Sequence, residues 1–235
     1  RRVWLRLPAC AFLRPGAFAF LAQIFSALLE GLWVTLRIAL LSIIFSVIFG
    51  IILGIIMNSK NILVRVITRI YLEFFRIIPV IVWLFIVFFW IPMGTGLNIT
   101  GEGAAVLVFS MWGSAEMGDL VRGAIESLPK IQSESAKSIG LNKIQIYYYV
   151  LIPQALKRVI PSAINLSTRV IKTTSLVVLI GVVDVVKKGQ QIIERTKSAF
   201  FIYALLFLIY FIICYIIKSK EAVNVEQLAE YLQVR

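Results

Sequence analysis

Two pairs of ionisable residues stand inside stretches of sequence that are otherwise apolar: Glu116 with Asp119, and Arg169 with Lys172. Charge in hydrocarbon is costly and usually faces a cavity or a partner, so these four mark either a polar path or a lock between helices. On a helix Glu116 and Asp119 are i, i+3 neighbours, while Asn165, Arg169 and Lys172 fall at i, i+4 and i+7 as one polar stripe. At about 1.5 Å per residue, Glu116 and Lys172 lie within about a turn of the centres of their stretches, where they could meet. Pairing and solute binding are therefore the available chemistry. Catalysis is not: the chain has no histidine, and Cys10 and Cys214 are isolated from any metal-ligand spacing. A G-x-x-x-x-G-K-[ST] phosphate loop is absent as well. No catalytic residue, metal site or cofactor is expected in this chain, and any energy it uses must come from a gradient or from another subunit.

The elements that would hold these residues follow from hydropathy. With 60% hydrophobic and 15% charged residues and a mean hydropathy of +0.92, the 235-residue chain lies outside the range of soluble domains. Apolar runs long enough to cross a ~30 Å hydrocarbon core recur along it. Five spans fit best: 32–57, then 77–91 with an amphipathic approach from 62, then 103–121, 159–183 and 199–217. Short alternating strands are missing, so the backbone can be satisfied in lipid only as helix. The expected fold is an all-α integral membrane protein of about five transmembrane helices. Residues 1–30 read as an N-terminal extracytoplasmic or interfacial segment, 31–218 as the transmembrane domain and 219–235 as a cytoplasmic tail.

Orientation follows from Lys and Arg outside the spans. Lys60, Arg65, Arg69 and Arg76 follow the first span; Arg122, Lys130, Lys137, Lys143, Lys157 and Arg158 follow the third. Together with Lys218, Lys220 and Arg235 they outnumber the basic residues of the other side, so the N-terminus is expected outside and the C-terminus in the cytoplasm. The net charge of +12 is membrane-edge basicity suited to anionic lipid. Its scatter, with no patch of base-stacking aromatics, argues against nucleic acid.

The long polar loop, 126–158, must face something outside the lipid. Residues 129–137 favour a short helix, and Gly140 stands where a left-handed cap would end it. Asn142 can cap a second helix, on which Ile144, Tyr147, Tyr148 and Leu151 make an apolar stripe until Pro153 breaks or kinks it. A projecting helix, turn and helix of this kind suits a groove on a partner.

Here the residues carry a resemblance. Glu134-Ser-Ala-Lys-Ser-Ile-Gly140, with Val150-Leu-Ile-Pro153 nine residues later, resembles the E-A-A, three residues, G, nine residues, I-x-L-P loop of bacterial ABC importer permeases. Ser135, Val150 and Ile152 are its mild departures. Phe75-Arg-Ile-Ile-Pro79 looks like the F-R-x-x-P entry to the second span of the polar amino acid importer family, and Lys172-Thr-Thr-Ser-Leu176 resembles its K-D-T-S-L. Leu120-Val-Arg-Gly-Ala-Ile125 and Pro153-Gln-Ala-Leu-Lys-Arg-Val-Ile-Pro161 accompany them, so the resemblance covers about 31–218.

The resemblance implies a type I-like permease fold in the bacterial cytoplasmic (inner) membrane. It makes the loop a coupling helix that docks on a separate ATP-binding cassette ATPase dimer, with Glu134, Ala136, Gly140, Leu141 and Pro153 as the docking motif. It also implies a second permease copy, identical or paralogous, an extracytoplasmic solute-binding protein, and an amino acid substrate. The intramembrane charges then have two readings: a lock in which Glu116 and Asp119 neutralise Arg169 and Lys172, or a site for the amino and carboxyl ends of a substrate. The family usually has an aromatic residue where this chain has Glu116, and often Asp where it has Thr173. The extra acid favours a basic amino acid, while Lys172 keeps glutamine or glutamate possible. The alternative from another class is a gradient-driven secondary transporter or channel. Of the remaining features, Gly50 and Gly54 read as helix packing, Arg37 as snorkelling, and Asp184 as a loop cap.

Overall fold

The computed structural model describes residues 17–233, with side chains for 22–219. Every regular element among them is helical. Helix α1 (Ala17–Met57) runs without a break through position 31, because nothing in its sequence caps or interrupts a helix upstream of the first span. Then come α2 (Ile62–Ile77), α3 (Val80–Phe85), α4 (Ile91–Thr95) and α5 (Gly101–Glu126). The loop contains α6 (Lys130–Ser138) and α7 (Lys143–Gln145), and α8 (Ile152–Thr173), α9 (Val185–Thr196) and α10 (Ala199–Gln233) complete the order.

Among the described residues four stretches are long and apolar enough to span: Ala22–Met57, Gly101–Glu126, Lys143–Ile180 and Ala199–Ser219. A fifth is broken, since Ile62–Ile77 and Val80–Thr95 meet at 96°. The break is chemically local: Pro79 forces Ile78 into extended backbone (φ −80°, ψ 129°), which no helix can continue. Rings brace the corner, with Phe75 stacked on Trp83 at 4.8 Å and Phe74 edge-on to the same indole at 4.8 Å. Arg76, in the last turn of α2, is fixed in place by this corner.

The bundle is built around α5, whose Ala104, Ala105, Val108, Phe109, Ala115 and Val121 are all but inaccessible. Helix α1 lies close against it: a Cβ on Gly50 would come within 2.4 Å of Met117, and one on Gly54 within 2.7 Å of the Gly118 carbonyl oxygen. The small residues are thus a packing seam inside one chain. This close approach fixes the face that α5 turns toward α2 and α8.

The fourth span differs from expectation. Helix runs unbroken from Lys143 to Ile180, so the second loop helix and the span are one element, and Pro153 does not divide them. A π-helical segment (Ile146–Leu151) absorbs the proline instead. Proline lacks an N–H and crowds the carbonyl four residues back, here Tyr149, and widening that turn relieves both effects. The same device recurs before Pro92, whose fourth preceding residue, Phe88, lies in the π-helical segment Ile86–Trp90.

Candidate functional site

Two features answer to the sequence expectations: a ladder of charge inside the bundle and a loop projecting from one end. The ladder begins on α8. Asn165, Arg169 and Lys172 share an exposed stripe of that helix, while Leu166, Val170 and Ile171 are buried against the bundle. Arg169 Nη2 donates to Glu116 Oε2 at 2.5 Å, and its guanidinium lies 5.6 Å from the centre of the Trp112 ring. The other oxygen of Glu116 lies 3.2 Å from Arg76 Nε. Arg76 in turn donates from Nη1 to Asp119 at 3.0 Å. Asp119 also accepts from Arg122 at 2.7 Å, and Arg122 donates to Glu126 at 2.7 Å. Cation and anion alternate from Arg169 to Glu126 along one face of α5, and three of each leave the ladder neutral.

Only part of the expected lock is formed. Glu116 does meet Arg169, but Asp119 turns to Arg76 and Arg122, and the Lys172 ammonium has no ion-pair partner among the described residues. Arg76 and Arg122, counted above as membrane-edge charge, are members of the ladder. The signal that could have found Arg76 is the periodicity of α2, where Arg65, Arg69, Glu73 and Arg76 form a polar stripe between the buried Thr68, Leu72 and Phe75 and the exposed Ile67, Ile70 and Phe74. Arg37 does more than snorkel, since it pairs with Glu102 in the first turn of α5.

The loop is shaped by backbone capping. Gly140, at φ +86°, ends α6; its N–H donates to the Lys137 carbonyl at 2.9 Å, and that of Leu141 to the Ala136 carbonyl at 3.2 Å. These two bonds make a complete Schellman cap. Asn142 and Gln145 then exchange side-chain-to-backbone bonds of 2.9 Å in both directions, a capping box that starts α7. Ala136 is buried, Leu141 half-buried, and Glu134 and Pro153 exposed. The apolar stripe expected on the second helix is split: Ile146 is buried and Tyr147 and Leu151 half-buried, whereas Ile144 (80% exposed) and Tyr148 point away. Ile144 and Tyr148, one turn apart, lie on the outer side of the stripe and Tyr147 and Leu151 on the inner, so the stripe straddles the edge of the face that packs against the bundle. Arg158 ties the base of α8 to the end of α5, donating to the Ser127 carbonyl at 3.1 Å and its hydroxyl at 3.0 Å.

Beyond the other end of α8 the helix α9 starts where a loop was expected, and Asp184, a cap as expected, accepts from the Lys187 N–H at 2.8 Å. It is fully buried, and its second oxygen has no partner among the described residues. Burial pushes its carboxyl up to about 6.

Residues 46–219 match the family described as binding-protein-dependent transport system inner membrane component. The chain is 34% identical over 155 residues to the L-cystine transport system permease protein TcyL of Bacillus subtilis, an alignment covering 63% of this chain and 65% of that one. It is 33% identical over 178 residues to the inner membrane amino-acid ABC transporter permease protein YhdY of Escherichia coli, covering 75% of this chain and 48% of the relative. The probable amino-acid ABC transporter permease protein y4tF of Sinorhizobium fredii is 32% identical over 187 residues, covering 77% and 79%. The chain therefore spans about two thirds and about half of the length of the first two relatives. In fold it is similar to the crystal structure of an amino acid ABC transporter with histidines, at a TM-score of 0.82 and 24% identity over 89% of this chain and 98% of that one. It is similar also to the inward-facing MetNI methionine ABC transporter, at a TM-score of 0.72 and 18% identity over 88% and 98%.

Proposed function

This chain belongs to the binding-protein-dependent transport system inner membrane component family, and from that premise we propose that it is the membrane-spanning permease subunit of an ATP-driven importer of a polar amino acid. The observation that carries the reading is the loop. Its two caps hold α6 and α7 in a rigid turn that presents Glu134, Ile139 and Ile144 outward, with Ile139 78% and Ile144 80% exposed. Exposed isoleucines at a helix turn have a plain use in seating that turn in a partner's cleft. The partner is an ATP-binding cassette ATPase dimer, reached by Glu134, Ala136, Gly140, Leu141 and Pro153. A second permease copy completes the pathway, and an extracytoplasmic binding protein supplies it. The loop end faces the cytoplasm of a bacterial cell, as the distribution of Lys and Arg supports.

The substrate site is the α8 stripe with its neighbours on α5: Asn165, Arg169, Lys172, Glu116 and Asp119. Glu116 on its own would favour a basic amino acid. Shared between two guanidiniums, its charge is already compensated, and the stripe's remaining charge is the ammonium of Lys172. That balance favours an amino acid whose side chain is an amide or an acid. The test is uptake of radiolabelled glutamine, glutamate and arginine by vesicles containing this chain with its co-purified partners, with and without internal ATP. ATP-dependent uptake of glutamine or glutamate is expected. Uptake that ignores ATP and follows a proton gradient would place the chain among secondary transporters, and ATP-dependent uptake confined to arginine would return Glu116 to the substrate.

A further inference from the structure

Arg76 lies off the α8 stripe, on a different helix, yet it touches two of the ladder's three acids, Glu116 and Asp119. Glu116 gives one oxygen to each of two arginines: Oε2 to Arg169 at 2.5 Å and Oε1 to Arg76 at 3.2 Å. The partners are unequal. The Glu116 side chain is only 15% exposed and stays in the bundle, whereas that of Arg169 is 53% exposed, beside Trp112 on the open stripe. Arg76 cannot swing away with Arg169, because its Nη1 is engaged by Asp119, one turn further along α5, and Asp119 is held in turn by Arg122.

For Arg169 to take up the carboxylate of a solute it must release Glu116, wholly or in part. Were Arg169 the only partner, that step would leave a largely buried anion without a counter-charge, a penalty that opposes binding. A second guanidinium on the other oxygen removes most of it. We propose that Arg76 is a positioning residue of the transport path, holding and compensating the Glu116 carboxylate while Arg169 exchanges that carboxylate for the one on the substrate. The inference rests on the amino acid reading above. It assigns Arg76 a role beyond fastening α2 to α5, because the exchange requires a cation on Glu116 specifically.

Four complexes test it: the unmutated one, Arg76→Gln, Glu116→Gln, and the double variant, each purified with its ATPase partner. With Glu116 present, loss of Arg76 should lower ATP-dependent uptake by about tenfold or more. In the Glu116→Gln background there is no anion to compensate, and adding Arg76→Gln should change uptake by less than about twofold. If Arg76→Gln is equally damaging in both backgrounds, or harmless in the first, the proposal is overturned and Arg76 is a fastener acting through Asp119. Thermal unfolding of the same four complexes without amino acid or nucleotide provides a separate reading. The drop in Tm caused by Arg76→Gln should shrink by about half or more in the Glu116→Gln background, and equal drops overturn the compensation. Should the unmutated complex show no ATP-dependent uptake, the functional reading fails, and the unfolding cycle still decides whether Arg76 compensates Glu116.

Discussion

The loop and the ladder solve opposite problems. The loop of α6 and α7 stands in the open with apolar tips exposed, and its shape is held by neighbours in sequence: Gly140 and Leu141 bond back to Lys137 and Ala136, and Asn142 bonds to Gln145. The ladder is only part-exposed at its centre, where the Glu116 side chain is 15% exposed, and the bonds that tie α5 to α2 and α8 join residues far apart, with Arg76 and Arg169 lying 40 and 53 positions from Glu116. A locally encoded device tolerates exposure and keeps its form when a partner arrives. A ladder assembled from three helices reports how those helices sit. The first suits docking, and the second suits a site that must change.

The sharpest way to break this contrast is at Gly140. A Cβ there would meet nothing within 4 Å, so the obstacle is conformational: φ of +86° is strained for any other residue and worst for a branched one. Gly140→Val should store strain on the order of 1–3 kcal/mol in the turn. Nearly all ATP-dependent uptake and co-purification of the ATPase should disappear, while the amount of chain in the membrane is unchanged. Uptake at the unmutated level would mean that the loop does not couple.

Asp184 sharpens the comparison, because it is a local cap like those of the loop but more deeply buried than any member of the ladder. Its carboxyl, pushed up to about 6 from 3.8, holds its proton longer in the native chain than in the unfolded one. The stability it contributes is fully present below pH 3.8 and is lost as pH rises through about 6. Asp184→Asn keeps an acceptor for the Lys187 N–H without the charge. It should flatten the stability profile across that window and gain on the order of 3 kcal/mol at pH 7. Chemical unfolding of both chains from pH 4 to 7 measures the difference, and parallel profiles would count against it.

Lys172 distinguishes substrate binding from pairing within the ladder. Because it pairs with nothing among the described residues, Lys172→Gln should leave thermal stability within about 0.5 kcal/mol. If its ammonium holds a substrate carboxylate, uptake should fall about tenfold or more, the worth of one charge-assisted hydrogen bond. A lower Tm with uptake retained would make it structural. The smallest effect is expected at Arg37, whose pair with Glu102 is exposed on both sides: Arg37→Gln should cost less than about 1 kcal/mol, and less again in high salt.

What could be read from sequence follows the same division. Gly140 at the end of α6 and Asn142 at the start of α7 were legible, because a cap needs only residues a few positions apart; Asp184 was read as a cap, but the helix α9 that it starts was read as loop. Hydropathy made the apolar stretches legible, but the second was placed at 77–91, straight across the break that Pro79 makes. Arg76 was not legible, because its place depends on a 96° corner that sequence marks but does not aim. Nor was the split of Ile144 and Tyr148 from Tyr147 and Leu151, since spacing shows that four residues share a stripe but not which edge of it meets the bundle. Lys172 was expected to help neutralise two acids that Arg76 and Arg122 had already engaged.

The unbroken helix from Lys143 to Ile180 has a mechanical consequence. Lys143, beside the docking turn, and Lys172, on the solute stripe, lie about 44 Å apart on a single rod. A tilt of about 10° around its middle would carry each end roughly 4 Å in opposite directions. That is comparable to the length of a salt bridge, and enough to separate Arg169 from Glu116. If the turn docks and the stripe binds solute as proposed, no relay of small rearrangements between the two ends would be needed: the rod would act as a lever, and the ladder lies where its throw would be felt.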